Sequence, residues 1–292
     1  MFFIYPIGHD QATYTRPWFT LGVIAVCVLV FSWMQVATGP AEQAVMRAAV
    51  ALDQAQREHP KARLAQDQVD AAPPAVREWL QELVDDEAPI SEELDAAVAD
   101  LTLAARGLPV LRLGYIPLEG RWSRAITSMF AHGGWLHIIG NLMLLFLVGS
   151  ILEGFWRLPA YVVLYLGAGL LGVVVHHLAD PDSPVAMVGA SGAIAGCLAA
   201  LLFGFARTRI TLGWFFWIAI YVRAGKTEAP VWVLAPLWGA LQILAFVRGD
   251  ADGVAYGAHV GGFLFGLAFA FAADRLGWIA RDAGHLFEEK AS

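Results

Sequence analysis

The segment at 184–206, PVAMVGASGAIAGCLAALLFGFA, is an apolar run typical of a membrane-spanning helix. It contains no charged residue and is bounded by Asp182 and Arg207. A charge-free helix of this length is long enough to cross a bilayer. Within it, the motif GASG at 189–192 places Ser191 between small residues. Because small residues let membrane helices approach closely, this motif alone predicts helix packing as readily as chemistry.

Five further charge-free runs have spanning length, which predicts a multi-pass membrane protein. The whole chain is 58% hydrophobic and only 15% charged, which is too apolar for an ordinary soluble domain. We therefore predict an all-α membrane protein built as a bundle of six transmembrane helices. The predicted spans are 18–36, 133–152, 158–179, 184–206, 229–247 and 253–273.

A seventh apolar run, at 210–222, is shorter than a span and lies between Arg209 and Arg223. Its aromatic residues at 214–217 are typical of the membrane–water interface. We interpret it as an interfacial segment. The alternative, an inserted segment, would reverse the topology of everything that follows it.

Negative charge is concentrated in one part of the chain. Residues 42–106 hold fourteen of the 26 acidic residues but only six of the 19 basic ones, so the net charge of −7 reflects this insert. Its Ala and Leu residues at helical spacing, and Ser91 as a helix N-cap before Glu92 and Glu93, predict a small helical insert. No cluster of Lys and Arg resembles a nucleic-acid footprint, and no feature identifies a partner for the insert.

The basic residues of the short loops predict the orientation. With six spans and a cytoplasmic N-terminus, the inner side receives most of these residues, as the positive-inside rule requires. The first sixteen residues lack the pattern of a cleaved signal peptide, so we expect 18–36 to be a retained anchor. The favoured location is a bacterial inner (plasma) membrane with both termini cytoplasmic.

Polar residues at membrane depth suggest chemistry. His137 and Asn141 are one helical turn apart and therefore share a face, and His259 lies in the last span. Together with Ser191 they supply a base, two side-chain donors and a nucleophile, all in the outer halves of their spans. Polar residues in a membrane usually mark function, although hydrogen bonding between neighbouring helices is the simpler explanation for each one taken alone.

Glycine spacing explains how Ser191 and His259 come to meet. Gly192 and Gly196 form a small-xxx-small pattern in the fourth span, and Gly262 and Gly266 form another in the sixth. Such patterns permit close backbone contact, so we expect these two helices to pack directly together. Because no carboxylate lies at spanning depth near His259, we expect a Ser-His dyad rather than a triad.

The combination of His132, His137-xxx-Asn141, GASG at 189–192 and AHVGG at 258–262 followed by Gly266 resembles the rhomboid family of intramembrane serine proteases, in its six-span bacterial form. The resemblance implies a rhomboid-like bundle that cleaves transmembrane protein substrates within the lipid bilayer. It implies no cofactor and no metal. The roles that it implies are Ser191 as nucleophile, His259 as base, His137 and Asn141 as the oxyanion hole, and His132, Gly189 and Gly192 as supporting residues.

Four regions follow from these predictions. They are an N-terminal tail with the first span (1–37), an extracytoplasmic acidic insert (38–107), the core with the first loop and spans two to six (108–276), and a cytoplasmic C-terminal tail (277–292).

Two alternatives compete with proteolysis. One is a non-catalytic membrane chaperone or quality-control protein on the same fold, although such relatives usually lack the serine or the histidine. The other is a transporter whose polar spans line a path. The sequence shows no internal repeat or matching pair of broken helices, which weakens the transporter.

Overall fold

The computed structural model describes residues 2–11, 16–85, 91–218, 221–249 and 253–279. The elements in chain order are β1 (Phe2–His9), α1 (Trp18–Glu58), α2 (Gln66–Ala71), α3 (Pro74–Gln81), α4 (Glu92–Arg106), α5 (Pro109–Leu113), α6 (Arg124–Ser128), α7 (Trp135–Phe155), α8 (Leu158–Ala179), α9 (Ser191–Ala200), β2 (Arg209–Ile218), β3 (Tyr221–Pro230), α10 (Val231–Arg248) and α11 (Tyr256–Arg275).

The architecture is a helical membrane bundle, which confirms the predicted fold class. Within the described residues, α1, α7, α8, α10 and α11 are long and apolar enough to cross a membrane. Large apolar side chains remain exposed on their outer faces, among them Leu29, Leu136 and Val247. A surface this apolar is suited to lipid rather than to water.

The Ser191 segment differs from the predicted span at both ends. Its helix, α9, covers 10 residues, about 15 Å at 1.5 Å per residue and roughly half the hydrocarbon thickness. The backbone before it is not helical and forms an isolated bridge at Met187, and Gly189 (φ 124°) and Gly204 (φ 93°) adopt positive φ values on either side of the helix. These conformations interrupt a helix, so Ser191 lies at the start of a short helix.

A three-stranded antiparallel sheet, in the order β1-β2-β3, was not predicted. Within the segment at 210–222, residues 210–218 belong to β2 and residues 221–222 begin β3. Residues 219–220 lie outside the described part. Aromatic and β-branched residues favour strands as well as membrane interfaces, which explains the incomplete prediction. β1 lies along α7, where His9 Nε2 is 3.2 Å from Ser150 Oγ. The interfacial location of the segment stays a prediction.

The acidic insert is helical and has a hydrophobic core of its own. α1 is 41 residues long, so it extends beyond the predicted first span, and its second half packs against α4. The centre of the insert's core is formed by the buried side chains of Leu52, Leu80, Leu94 and Leu101. Ser91 Oγ accepts a hydrogen bond from the Leu94 N–H at 3.3 Å, which confirms the predicted N-cap. The extracytoplasmic location of the insert stays a prediction, and residues 280–292 of the C-terminal tail lie outside the described residues.

Glycines bring α9 and α11 into backbone contact, as their spacing predicts. A Cβ on Gly262 would collide with the carbonyl oxygen of Gly192, and a Cβ on Gly266 would collide with that of Gly196. α8 approaches α11 in the same way, since a Cβ on Gly172 would lie 2.6 Å from the Ala258 carbonyl oxygen. Only glycine permits these separations, and they determine how close residues 191 and 259 lie.

Candidate active site

The loop before α9 holds Ser191 in place through backbone hydrogen bonds. Tyr115 and Met187 exchange two of them, with N···O distances of 3.0 and 2.8 Å, and the Gly189 N–H donates to the Ser128 carbonyl at 2.8 Å. These bonds connect the loop before α9 to the segment between α5 and α6 and to the last residue of α6. Ser191 follows as the first residue of α9, where the backbone amides have no carbonyl partner within the helix.

The structure brings Ser191 and His259 together. His259 lies in the first turn of α11, and its Nε2 is 2.8 Å from Ser191 Oγ. The imidazole is 9% exposed, so the pair is enclosed by protein but remains reachable. This distance is within hydrogen-bond reach for transfer of a proton from a hydroxyl to a neutral imidazole.

His137 converges on the same point from α7. A Cβ placed on Gly189 would lie 2.7 Å from His137 Nε2 and 3.7 Å from Ser191 Oγ, so both polar atoms border the space beside Gly189. A side chain there would fill this space, and the positive φ of Gly189 also disfavours any residue but glycine. Both the space beside it and its backbone conformation therefore require a glycine at position 189.

Asn141 lies one turn further along α7 on the same face. Its side chain is buried, and Nδ2 donates to the His137 carbonyl at 2.9 Å. The amide group carries a second hydrogen, which this bond leaves available. No hydrogen bond joins Asn141 to Ser191 within the described structure.

His132 lies beside His137, in the loop that precedes α7. Their ring centroids are 5.2 Å apart, and His132 Nδ1 is 3.3 Å from the Phe130 carbonyl oxygen. Burial, followed by the proximity of His137, lowers the pKa of His132 to about 4. His132 is therefore neutral near pH 7 and adds no charge beside His137. Its Nε2 has no hydrogen-bond partner among the described residues.

Sequence reasoning missed the residues of α10 that contact the base. Gln242 Oε1 lies 2.7 Å from His259 Nδ1, and the Trp238 ring centroid is 5.6 Å from that of His259. Gln242 is the one amide in the predicted span at 229–247. The argument applied to His137 and Asn141, that polar residues in a membrane need partners, would have singled it out.

Three helices begin at the site. α7, α9 and α11 present their N-termini there, because His137, Ser191 and His259 all lie in first turns. A helix N-terminus carries partial positive charge and free N–H groups, both of which favour an anion. The arrangement is suited to stabilising negative charge that develops next to Ser191 Oγ. Among the described residues, no group of three His, Cys, Asp or Glu is placed to hold a metal ion.

Comparison with known proteins identifies a family for part of this chain. The family model for the Rhomboid domain matches residues 119–275. Relatives include RHOMBOID-like protein 5 of Arabidopsis thaliana, 33% identical over 52% of this chain and 44% of the relative. Rhomboid protease GluP of Bacillus subtilis is 36% identical over 29% of this chain and 16% of the relative, and putative rhomboid protease YdcA of the same organism is 36% identical over 29% and 42%.

The chain spans less than half of the length of these curated relatives. The matched region nevertheless covers more than half of this chain and contains all seven of the residues predicted for the site. On the strength of that match and of the helical membrane bundle around it, the chain belongs to the rhomboid family.

Proposed function

We propose that the protein is an intramembrane serine endopeptidase that uses Ser191 as nucleophile and His259 as base. The observation that carries the proposal is the 2.8 Å contact between His259 Nε2 and Ser191 Oγ. The names of three relatives, two from Bacillus subtilis and rhomboid-type serine protease 2 of Emericella nidulans, add support because each is called a protease.

In the first step Ser191 Oγ attacks the carbonyl carbon of a substrate peptide bond. Nε2 of His259 takes the hydroxyl proton as the new C–O bond forms. The tetrahedral intermediate then collapses, the C–N bond breaks, and the imidazolium returns the proton to the leaving amine. In the second step a water molecule attacks the ester carbonyl of the acyl-enzyme while His259 takes one of its protons, the ester C–O bond to Ser191 Oγ then breaks, and the imidazolium returns the proton to Oγ as the carboxyl product leaves.

The oxyanion of each intermediate would form in the space beside Gly189. The donors that we assign to it are the Ser191 backbone N–H, His137 Nε2 when that atom carries the ring proton, and the second amide hydrogen of Asn141. The N-terminus of α9 adds its partial positive charge. Together these groups supply an anion site without any buried cation.

We further propose that the substrates are membrane-spanning proteins. Ser191 opens a short helix enclosed by α7, α8 and α11 in a bundle whose outer faces are apolar, so a peptide bond must reach it from the bilayer. A helical substrate has its carbonyls hydrogen-bonded, so it must unwind locally before attack. We propose a bacterial inner membrane as the location, with both termini cytoplasmic and the acidic insert on the opposite side, and the basic residues of the short loops support this orientation.

The contact at the dyad also favours catalysis over a purely chaperone-like role. A binding protein has no need to hold a buried hydroxyl against an imidazole beside free helix N-termini. No observation on the structure favours transport.

An activity-based probe tests the proposal. We expect a fluorophosphonate to label the protein in native membranes, with the modification mapped by mass spectrometry to Ser191. The chain offers a matched control in Ser150, which also lies beside a histidine, at 3.2 Å from His9 Nε2, but donates to the Leu147 carbonyl within α7. Labelling that persists in Ser191→Ala, or that maps to Ser150, contradicts the proposal.

The oxyanion donors give a further prediction. We expect His137→Ala or Asn141→Ala to lower kcat by about 10²- to 10³-fold, because each removes one donor from the transition state. KM for a reporter substrate should change little, since the substrate carbonyl gains these bonds mainly as the oxyanion forms.

Steady-state kinetics in detergent or nanodiscs would measure both constants. Ile139→Ala serves as the control, because Ile139 lies between these two residues on α7 but is 48% exposed and should leave kcat unchanged. A twofold or smaller loss in kcat in both test variants would remove His137 and Asn141 from the oxyanion hole.

A further inference from the structure

The imidazole of His259 has two hydrogen-bond partners in the described part of the chain, one at each nitrogen. Nε2 contacts Ser191 Oγ at 2.8 Å, and Nδ1 contacts Gln242 Oε1 at 2.7 Å. The two contacts come from different helices, α9 and α10, while His259 itself belongs to α11. The ring is therefore held between the nucleophile and an amide.

A neutral imidazole carries one ring proton, and its position decides whether the ring can act as a base. Nε2 accepts the Ser191 proton only when it is unprotonated, so the proton must reside on Nδ1. An acceptor beside Nδ1 favours that tautomer. Gln242 Oε1 is a carbonyl oxygen at hydrogen-bond distance, and a carbonyl accepts but does not donate.

The opposite tautomer would place N–H on Nε2 and a lone pair on Nδ1. In that form the ring would donate to Ser191 Oγ, and the hydroxyl would have no base. A nonpolar side chain at position 242 would leave the Nδ1–H buried without a partner, at a cost in free energy that the alternative tautomer avoids. An acceptor oxygen at position 242 therefore favours the tautomer that carries its proton on Nδ1.

A neutral acceptor also fits the surroundings. Gln242 lies within α10, among Leu241, Ile243 and Leu244, which are about half exposed on the apolar outer face. A carboxylate there would have to be desolvated inside the bilayer, at a large cost. An amide orients the base without burying a charge.

We propose that Gln242 is a positioning residue of the dyad, whose side-chain carbonyl holds His259 in the Nδ1–H tautomer with Nε2 directed at Ser191. This inference rests on the proposed protease function for its kinetic consequence, but the tautomer itself does not depend on that function. Gln242 acts through His259 and does not touch the reacting peptide.

Two substitutions distinguish the effect of the acceptor oxygen from the effect of side-chain packing at position 242. Gln242→Met keeps the length of the side chain and removes the acceptor. Gln242→Glu keeps a carbonyl oxygen as acceptor in the neutral carboxyl form, which the apolar surroundings favour. We expect kcat to fall about 10- to 100-fold in Gln242→Met with KM within twofold, because a buried donor is left unpaired in the productive tautomer. Gln242→Glu should keep most of the wild-type kcat.

A spectroscopic measurement completes the experiment. In the full-length protein labelled with ¹⁵N-histidine, the His259 resonances of the wild type should report Nδ1–H, and those of Gln242→Met a shift toward Nε2–H. Assignment comes from the signals lost in His259→Ala. An unchanged tautomer in Gln242→Met, or an equal loss of kcat in Gln242→Met and Gln242→Glu, overturns the proposal.

The two possible failures are distinguishable. If the wild type neither cleaves a reporter nor reacts with a fluorophosphonate at Ser191, the protease function fails while the tautomer measurement still tests Gln242. If the wild type is active and the His259 tautomer is the same in the wild type and in Gln242→Met, only the positioning role fails. Leu241→Met, at the neighbouring and exposed position of α10, should leave both readouts unchanged.

Discussion

Cleavage of a membrane-anchored reporter should fall by at least about 10³-fold when Ser191 or His259 is replaced with alanine. Ser191→Ala removes the nucleophile, and His259→Ala leaves the hydroxyl without a base at the 2.8 Å distance seen here. Residues that act as one unit lose activity non-additively. The double variant should therefore be no less active than either single variant.

The measurement is the initial rate of reporter cleavage in membranes, with folding and insertion checked by expression level and thermal stability. The second serine–histidine contact in the chain, Ser150 with His9 at 3.2 Å, provides the control. Ser150→Ala should keep the wild-type rate, because Ser150 lies in the interior of α7 rather than at a helix N-terminus. Wild-type cleavage by either Ser191→Ala or His259→Ala would refute the dyad.

The second large effect is expected from Gly262→Val. A Cβ at this position collides with the carbonyl oxygen of Gly192, and a backbone atom cannot turn aside as a flexible side chain does. α9 and α11 must then separate, which costs about 3 kcal/mol of unfolding free energy or more. The separation also pulls His259 away from Ser191, so cleavage should fall by at least about 100-fold.

Thermal unfolding in detergent and reporter cleavage would measure these two consequences. Gly22→Val is the matched control, since Gly22 also lies within a spanning helix, α1, but has no atom within 4 Å of its Cβ position. It shares the change in helix propensity and should lose little stability or activity. Full stability and activity in Gly262→Val would mean that the contact between α9 and α11 does not set the geometry of the dyad.

Much of the site was predictable because depth in the membrane follows from position in the span. Residues 137, 191 and 259 each lie near the N-terminal end of an even-numbered apolar run, so a bundle with alternating helix directions places them at one height. The glycine pairs at 192/196 and 262/266 predicted which two helices pack together. Both inferences need only helix geometry and the bilayer thickness.

Other features depend on contacts between distant parts of the chain. The length of α9 could not be read from its apolar run, because Met187 exchanges backbone hydrogen bonds with Tyr115 instead of continuing the helix. The sheet was missed for a related reason: β2 pairs with a strand from the N-terminus, and an aromatic run carries no signal for that partner. The polarity of Gln242 within an apolar run could have marked it as a candidate, but nothing in α10 itself reveals that it faces His259.

Apolar run lengths and residue spacing are local properties of each helix, so they predicted a rhomboid-like membrane bundle with a serine, two histidines and an asparagine in the N-terminal halves of three apolar runs. Three features became apparent only in the folded structure: Ser191 begins a short helix, His137 borders the same space beside Gly189, and α10 supplies an acceptor to His259. Those features arise where separate helices meet, and the free energy of such contacts depends on side chains far apart in sequence.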